Sequence, residues 1–309
     1  MALKFRKKVL LAKVESTYGV DATPTGAANA ILVHDLSISP MEGDTVSRDL
    51  VRPTLGNDVQ IHVGTHVSVE FDVEAAGSGS AGTAPAYGPL LRACGLAESL
   101  LTGRVEYDPV SGGEDSATIY FNLDGQKHPM LGSRGTVSLK ADPKGIPYFH
   151  FKFTGLWSDP LTAADPTPDF SAFTQPLAVT NDNTPTFTLH GSAWPMYGFS
   201  FDQANQVIYR NLVGEESVQI TDRAPTGQVT IQAPVLSTKN FFTTAKANAT
   251  GAVQLVHGVS AGNIVQFDAS WVQLLQPQYG ESDGVATLQM GLSFIPSSAG
   301  DDDFKITVK

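Results

Sequence analysis

The sequence predicts a mainly β fold built from two tandem copies of one small antiparallel unit, each with a short flanking helix. Three observations point to it. Apolar and polar residues alternate with period two in several segments, turn residues separate those segments, and one order of elements recurs half a chain apart. Two copies of one β unit suggest a block made to pack against copies of itself.

The clearest strand is Val67 to Glu74, where Val67, Val69, Phe71 and Val73 alternate with Ser68, Glu70, Asp72 and Glu74, giving one apolar and one acidic face. Phe149, Phe151 and Phe153 alternate with His150 and Lys152. Ala286, Leu288, Met290, Leu292 and Phe294 alternate with Thr287, Gln289 and Ser293. Half-buried strands of this kind belong to antiparallel sheets with one wet face. Asp142-Pro143-Lys144-Gly145 and the run Tyr279 to Gly284 supply turns. In the repeat, Val59-Gln60-Ile61 corresponds to Val218-Gln219-Ile220, Val67–Glu74 to a shorter run Val229–Gln232, and strands ending near Trp157 to strands ending near Ile295.

Two helices are predicted. Tyr87, Leu90, Leu91 and Cys94 fall at i, i+3, i+4 and i+7 within Pro85–Cys94, with Thr83 as the cap and Gly95 as the stop. The second, Thr238–Ala247, takes Ser237 as cap and Phe241, Phe242 and Ala245 as its apolar stripe. Pro160, Pro166, Pro168, Pro176 and Pro185 interrupt residues 158–186, which reads as a connection between a domain of residues 1–165 and one of residues 166–309. Phe170, Phe173 and Leu177 predict that part of it docks.

The chain has 309 residues, 41 % hydrophobic and 17 % charged, which is globular composition with enough apolar material for a core. Its 20 basic against 31 acidic side chains give a net charge of -11, which excludes broad capture of nucleic acid or anionic membrane. The single cysteine, Cys94, excludes an internal disulfide. Val9 to Ala12 is too short an apolar core for a secretory signal, and no apolar run is long enough to span a membrane. The basic cluster Lys4, Arg6, Lys7 and Lys8 is either an arm for an acidic neighbour or a free tail.

Motifs of chemistry are weak. Gly77-Ser78-Gly79-Ser80-Ala81-Gly82 matches G-x-G-x-x-G, but the strand before it alternates with three acids that would repel a pyrophosphate, so it reads as a flexible strand-to-helix connection. His62 and His66 read as exposed residues flanking a turn at Val63-Gly64-Thr65, and Asp301 to Asp303 as a solvated turn before a last strand, Phe304–Val308. There is no nucleophile elbow, and Cys94 lies on a buried stripe. No catalytic, cofactor or metal residue is nominated, and the expectation is a protein that is not an enzyme. A carbohydrate- or receptor-binding sandwich would cluster aromatics on loops. Trp157, Trp194 and Trp271 are scattered, and Trp271 continues the apolar face of Val265, Phe267 and Ala269.

The stretch Leu10-Leu11-Ala12-Lys13-Val14-Glu15-Ser16-Thr17-Tyr18-Gly19-Val20-Asp21-Ala22-Thr23-Pro24 resembles the opening of the tail tube (major tail) proteins of long, non-contractile-tailed bacteriophages. Gly43 to Arg48, Gly56-Asn57 and Gly82 to Leu96 extend the resemblance, which covers roughly residues 9 to 157. It implies tandem β-sandwich or barrel-like domains whose strands join those of neighbours in a ring, with rings stacked into the tube through which the genome leaves the capsid. Rings of this family are typically sixfold, so two tube domains per chain imply a homotrimer. The alternative is a homohexamer with a decorating second domain.

Further expectations follow from the resemblance. Glu70, Asp72 and Glu74, with Thr230 and Gln232 in the second copy, line the lumen. The polar excursion carrying Glu42, Asp44, Arg48, Asp49, Arg52 and Asn57 reaches the next ring. The expected partners are the chain itself, a tape measure protein in the lumen during assembly, the tail terminator and tail tip proteins, and viral DNA that passes without specific binding. No cofactor and no membrane is expected. The location is the virion tail, assembled in the host cytoplasm.

Overall fold

A computed structural model describes residues 2–309; Met1 lies outside it. The first half contains β1 (Lys8–Val14), α1 (Gly26–Asn29), β2 (Ala30–Ile31), β3 (His34–Ser47), β4 (Gln60–Glu74), α2 (Gly88–Ala93), β5 (Leu96–Leu101), β6 (Arg104–Pro109), β7 (Ala117–Leu123), β8 (Gln126–Ala141), β9 (Tyr148–Trp157) and β10 (Leu161–Thr162). The second half begins with β11 (Thr186–Leu189), β12 (Ser192–Ala193), β13 (Met196–Asp202), β14 (Asn205–Leu212) and β15 (Glu215–Arg223). It continues through β16 (Thr226–Gln232), α3 (Phe241–Lys246), β17 (Thr250–His257), β18 (Val265–Ser282), β19 (Val285–Phe294) and β20 (Lys305–Val308). The fold is mainly β, with no closed barrel among the described residues.

Hydrogen-bonded neighbours give the order β2–β1–β7–β8–β9–β4–β3 in the first half. The second half reads β12–β11–β17–β18–β19–β16–β13, the same order strand for strand, all antiparallel. Register agrees as well. The last row of the first half is Glu74–Tyr148–Lys140, and that of the second is Gln232–Thr287–Gly280. The halves differ in their arms. β3 and β4 run on as one ladder to Ser47 opposite Gln60, whereas the strands following β13 and preceding β16 break away as the separate pair β14–β15.

Two pairings join the halves. The end of β8 pairs with β13, from Ser138 opposite Asp202 to Ala141 opposite Phe199, and β20 lies between β18 and β6. The core is therefore continuous, running from Phe71, Phe149, Phe151 and Phe153 to Phe199, Phe201, Phe267 and Phe304. Period-two alternation buries the seven rings that lie on strands and leaves the intervening polar residues to the other face, and Phe304 joins them from the residue before β20. Lys305 of β20 holds Glu106 of β6 at 2.6 Å, and Arg104 pairs with the same carboxylate at 2.6 Å.

Several expectations need correction. The first helix is shorter than predicted, because Tyr87 takes the N-cap place and its hydroxyl is tied to the carbonyl of Ala76 at 2.8 Å; Thr83 lies outside the helix. The second is capped by Asn240, whose side chain accepts from the Thr243 amide, and not by Ser237. Residues 63–65 are no turn: Gly64, at φ 63°, lets β4 pass through a bulge, and His66 stacks on Tyr209. Trp271 is 48 % exposed, since a bulge at Ser270-Trp271 shifts the alternation of β18 so that Val272 is buried instead. Tyr279 to Ser282 remain in β18, which leaves only Asp283-Gly284 to turn. Ala286 is exposed. Asp303 is not solvated but 3 % exposed, hydrogen-bonded to Arg223 at 2.8 Å. Lys7 pairs with Asp124 of its own chain at 2.9 Å, the Lys4 amide donates to the same carboxylate and Lys8 Nζ donates to the Leu36 carbonyl, so the basic cluster is not a free tail.

The glycine run is an anchor and not a flexible connection. The Gly77 amide donates to Asn263 Oδ1 at 3.0 Å and the Gly79 amide to the Gly262 carbonyl at 2.8 Å. A Cβ on Gly77 would lie 2.1 Å from that carbonyl oxygen, so only glycine lets the two backbones approach. Phe173 and Phe170 of the Pro-rich connection pack on the large core and on a small cluster of Leu11, Ala30 and Tyr120, as their apolarity predicts.

Two outcomes are expected. Gly77→Ala should lower stability by roughly 1–3 kcal/mol, since backbone and not a flexible side chain must move; its urea midpoint checks this. The hydrogen bonds from Lys305 and Arg104 hold the Glu106 carboxyl below its ordinary value of 4.5, outweighing burial. That stabilisation is complete above the ordinary value and is lost as pH falls through the lowered one. The thermal midpoint of the native chain should therefore drop more steeply than that of Glu106→Gln between about pH 5 and about pH 3.

Candidate assembly surfaces

The face of the sheet opposite the core is polar across five adjacent strands. On β4, Val69, Phe71 and Val73 point into the core, so Glu70, Asp72 and Glu74 point out. The same outward face carries His150 and Lys152 on β9, Thr136, Ser138 and Lys140 on β8, and Ser200 and Asp202 on β13, each in register with its neighbours. Thr230 and Gln232 on β16 alternate with buried Val229 and Ile231. Through their partners Gln289 and Thr287 they occupy the positions that Asp72 and Glu74 hold in the first half. The predicted residues thus lie on one continuous face.

The acids on this face are not bare. Lys152 Nζ lies 2.8 Å from Glu70, and His150 Nδ1 lies 2.6 Å from Asp72. The hydrogen bond and charge of Glu70 raise the Lys152 ammonium above its ordinary value. Side-chain exposure of these four residues runs from 26 to 57 %, where ion pairs contribute little to stability. Their effect is on the field of the face: Lys152 and Lys140 interleave with the acids, which leaves a wet surface of mixed charge.

The arm residues are spread along the β3–β4 hairpin. Burial alone would raise the Glu42 carboxyl, but hydrogen bonds from Ser68, at 2.6 Å, and Ser39 outweigh it and the net shift is downward. Asp44 lies opposite Val63. Near the tip, Ser47 Oγ donates to Asp49 at 2.7 Å and Arg52 pairs with Asp58; Arg48 and Asn57 are exposed. The excursion is less polar than its charges suggest. Val46, Val51, Leu55 and Val59 are half exposed or more on its surface, and Ile61 is exposed beside them. Their signal was present in the alternation Val59, Ile61, Val63 against Gln60 and His62, which continues the period of β4 into the arm.

The second arm, β14–β15, is docked. Tyr209 stacks on His66 with ring centroids 4.6 Å apart, and the Val218 amide donates to Tyr18 Oη at 2.6 Å. Arg134 donates to the Val218 carbonyl at 3.0 Å, and Asn205 Nδ2 to the Cys94 carbonyl at 2.7 Å. Elsewhere, a cleft of about 480 Å³ between the β8–β9 turn and β11–β13 is lined by Val179, Thr184, Phe187, Trp194 and Met196 among others, none of them ionisable. Among the described residues no helix is long and apolar enough to cross a membrane.

The model of one protein family, described as phage tail tube protein, matches residues 6–307. No curated protein matches the chain significantly.

Glu70→Gln should change unfolding free energy by less than about 1 kcal/mol, and the difference should shrink further in high salt. Denaturant midpoints at two ionic strengths check this.

Proposed function

The chain belongs to the phage tail tube protein family, structural proteins of the virion tail, and from that premise we propose that three copies close into a pseudo-sixfold ring and that rings stack into the conduit for DNA ejection. Residues 1–165 and 166–309 then each act as one tube unit. The observation that carries this is the identical strand order of the two halves, with coincident register in β4–β9–β8 and β16–β19–β18. It favours the three-chain ring over six chains with a decorating second domain, because a decorating domain has no reason to repeat the sheet of the tube.

In this reading the polar face lines the lumen, with Glu70, Asp72, Glu74, Thr230 and Gln232 towards the DNA. A basic lining would capture phosphates by releasing their counterions. A mixed face does not, and with a Debye length of about 8 Å only charges near the DNA are felt. The β3–β4 arm, with Glu42, Asp44, Arg48, Asp49, Arg52 and Asn57, reaches the neighbouring ring, where its exposed apolar residues find cover. A tape measure protein would occupy the lumen during assembly, and terminator and tip proteins would close the ends.

Electron microscopy of the purified chain over a concentration series, with mass measurement of single rings, tests the proposal. Rings with the mass of three chains are expected. Six chains per ring would reject the stoichiometry, and a reconstruction with Glu70, Asp72 and Glu74 on the outer wall would reject the lumen assignment.

A further inference from the structure

The chain holds one completed sheet junction and two open halves of the same junction. β8 runs past the end of β7, whose ladder stops at Ser133, and its last residues gain β13 as a neighbour. β18, the counterpart of β8, likewise runs past the end of β17, whose ladder stops at Gln273. Beyond that point, among the described residues, β18 pairs only with β19. The other half of the junction shows the same contrast. β13 has β16 on one side and β8 on the other, whereas among the described residues its counterpart β3 has β4 alone. The order β3–β4–β9–β8–β13–β16–β19–β18 therefore begins and ends on open edges whose counterparts meet in its middle.

The register of the missing junction can be read from the completed one. Lys140 and Gly280 end the equivalent rows, so Ser138 and Leu139 correspond to Gln278 and Tyr279. Ile38 faces Val69 and Phe201 faces Gly227, and these partners lie at equivalent distances from the strand ends Glu74 and Gln232. Ile38 is thus the counterpart of Phe201, and Ser37 and Ser39 are those of Ser200 and Asp202. In the completed junction Leu139 lies opposite Phe201 and Ser138 opposite Asp202.

We propose that β18 of one copy receives β3 of the next in this register, with Gln278 opposite Ser39, Tyr279 opposite Ile38 and Gly280 opposite Ser37. The proposal rests on the ring reading above and names the surfaces that make the ring. Side-chain chemistry fits a second copy of this chain as the occupant. On the core face, Tyr279 is 61 % exposed with one side of its ring on Phe242, and Leu36 and Ile38 are only partly covered. Leu139, Phe199 and Phe201, in the corresponding places, are buried. On the polar face the facing residues are Ser37, Ser39 and Gln278, so no like charges oppose. Neither paired stretch has the edge lysine or central proline that guards a strand against pairing; Pro40 on β3 and Pro277 on β18 both stand just outside the paired residues, at the same end of the junction.

Paired cysteines test the register, since the native Cys94 is buried. Ser39→Cys with Gln278→Cys should form covalent trimers under mild oxidation of assembled rings. Ser37→Cys with Gln278→Cys, offset by two residues and beyond disulfide reach, should give at least about tenfold less. Ser138→Cys with Asp202→Cys places the same bond inside one chain and should close at any concentration, reporting that such a bond fits the junction. Ser37→Cys with Gly280→Cys gives a second in-register pair should the first disturb folding. Rings in which both in-register pairs stay open, or in which the offset pair closes equally well, overturn the register while the ring reading stands. Absence of rings at every concentration overturns both.

Discussion

Most of this structure depends on what happens at the end of β8. A strand edge offers a fixed set of backbone donors and acceptors, and β8 divides its edge between two neighbours, β7 along its first part and β13 along its last. The division brings a strand from the second half into the sheet of the first. From it follow the continuous aromatic core on one side and the unbroken polar face on the other. The contact is reinforced away from the sheet, where Asn205 and Arg134 bond the docked arm and the Gly77 amide bonds Asn263. None of these could form if the halves were independent bodies on a flexible tether.

Legibility in the sequence tracked how local each cause was. Period-two alternation is set by the strand itself, so the buried faces at Val67–Val73, Phe149–Phe153 and Leu288–Phe294 could be read directly. The polar residues named for the second copy, Thr230 and Gln232, fell on the register positions of Asp72 and Glu74. Causes that act between distant segments left no such trace. The bulge that exposes Trp271 is defined against β17, and the burial of Asp303 comes from Arg223, 80 residues away. The glycine run looked like a ligand loop or a flexible link because its partner, the loop at Gly262, lies in the other half. The helix starts were misplaced for two reasons: the Tyr87 hydroxyl donates to the Ala76 carbonyl of the preceding strand connection, and Asn240, three residues after the expected cap, accepts from the Thr243 amide.

The candidate site was legible in part. Acidic residues on a half-buried strand announce a wet face, but not the hydrogen-bonding partners opposite them, since Lys152 and His150 enter through strand pairing. The same limit applied to the arm. Its charges were conspicuous, whereas its apolar residues became meaningful only once one arm was seen docked and the other without a partner. Polarity along a hairpin describes its solubility; exposure of its apolar positions describes what it is built to meet.

The junction inside the chain also bears on how costly assembly is. Each body that joins a complex gives up translational and rotational freedom, at an estimated 4–15 kcal/mol or more. In a ring of the proposed kind, alternate contacts would already be made at synthesis, because a polypeptide link holds β13 beside β8. Such a ring would surrender the freedom of two bodies beyond the first, where six separate units would surrender that of five. Covalent continuity would thus shift the concentration at which tubes begin to grow, without a single added contact.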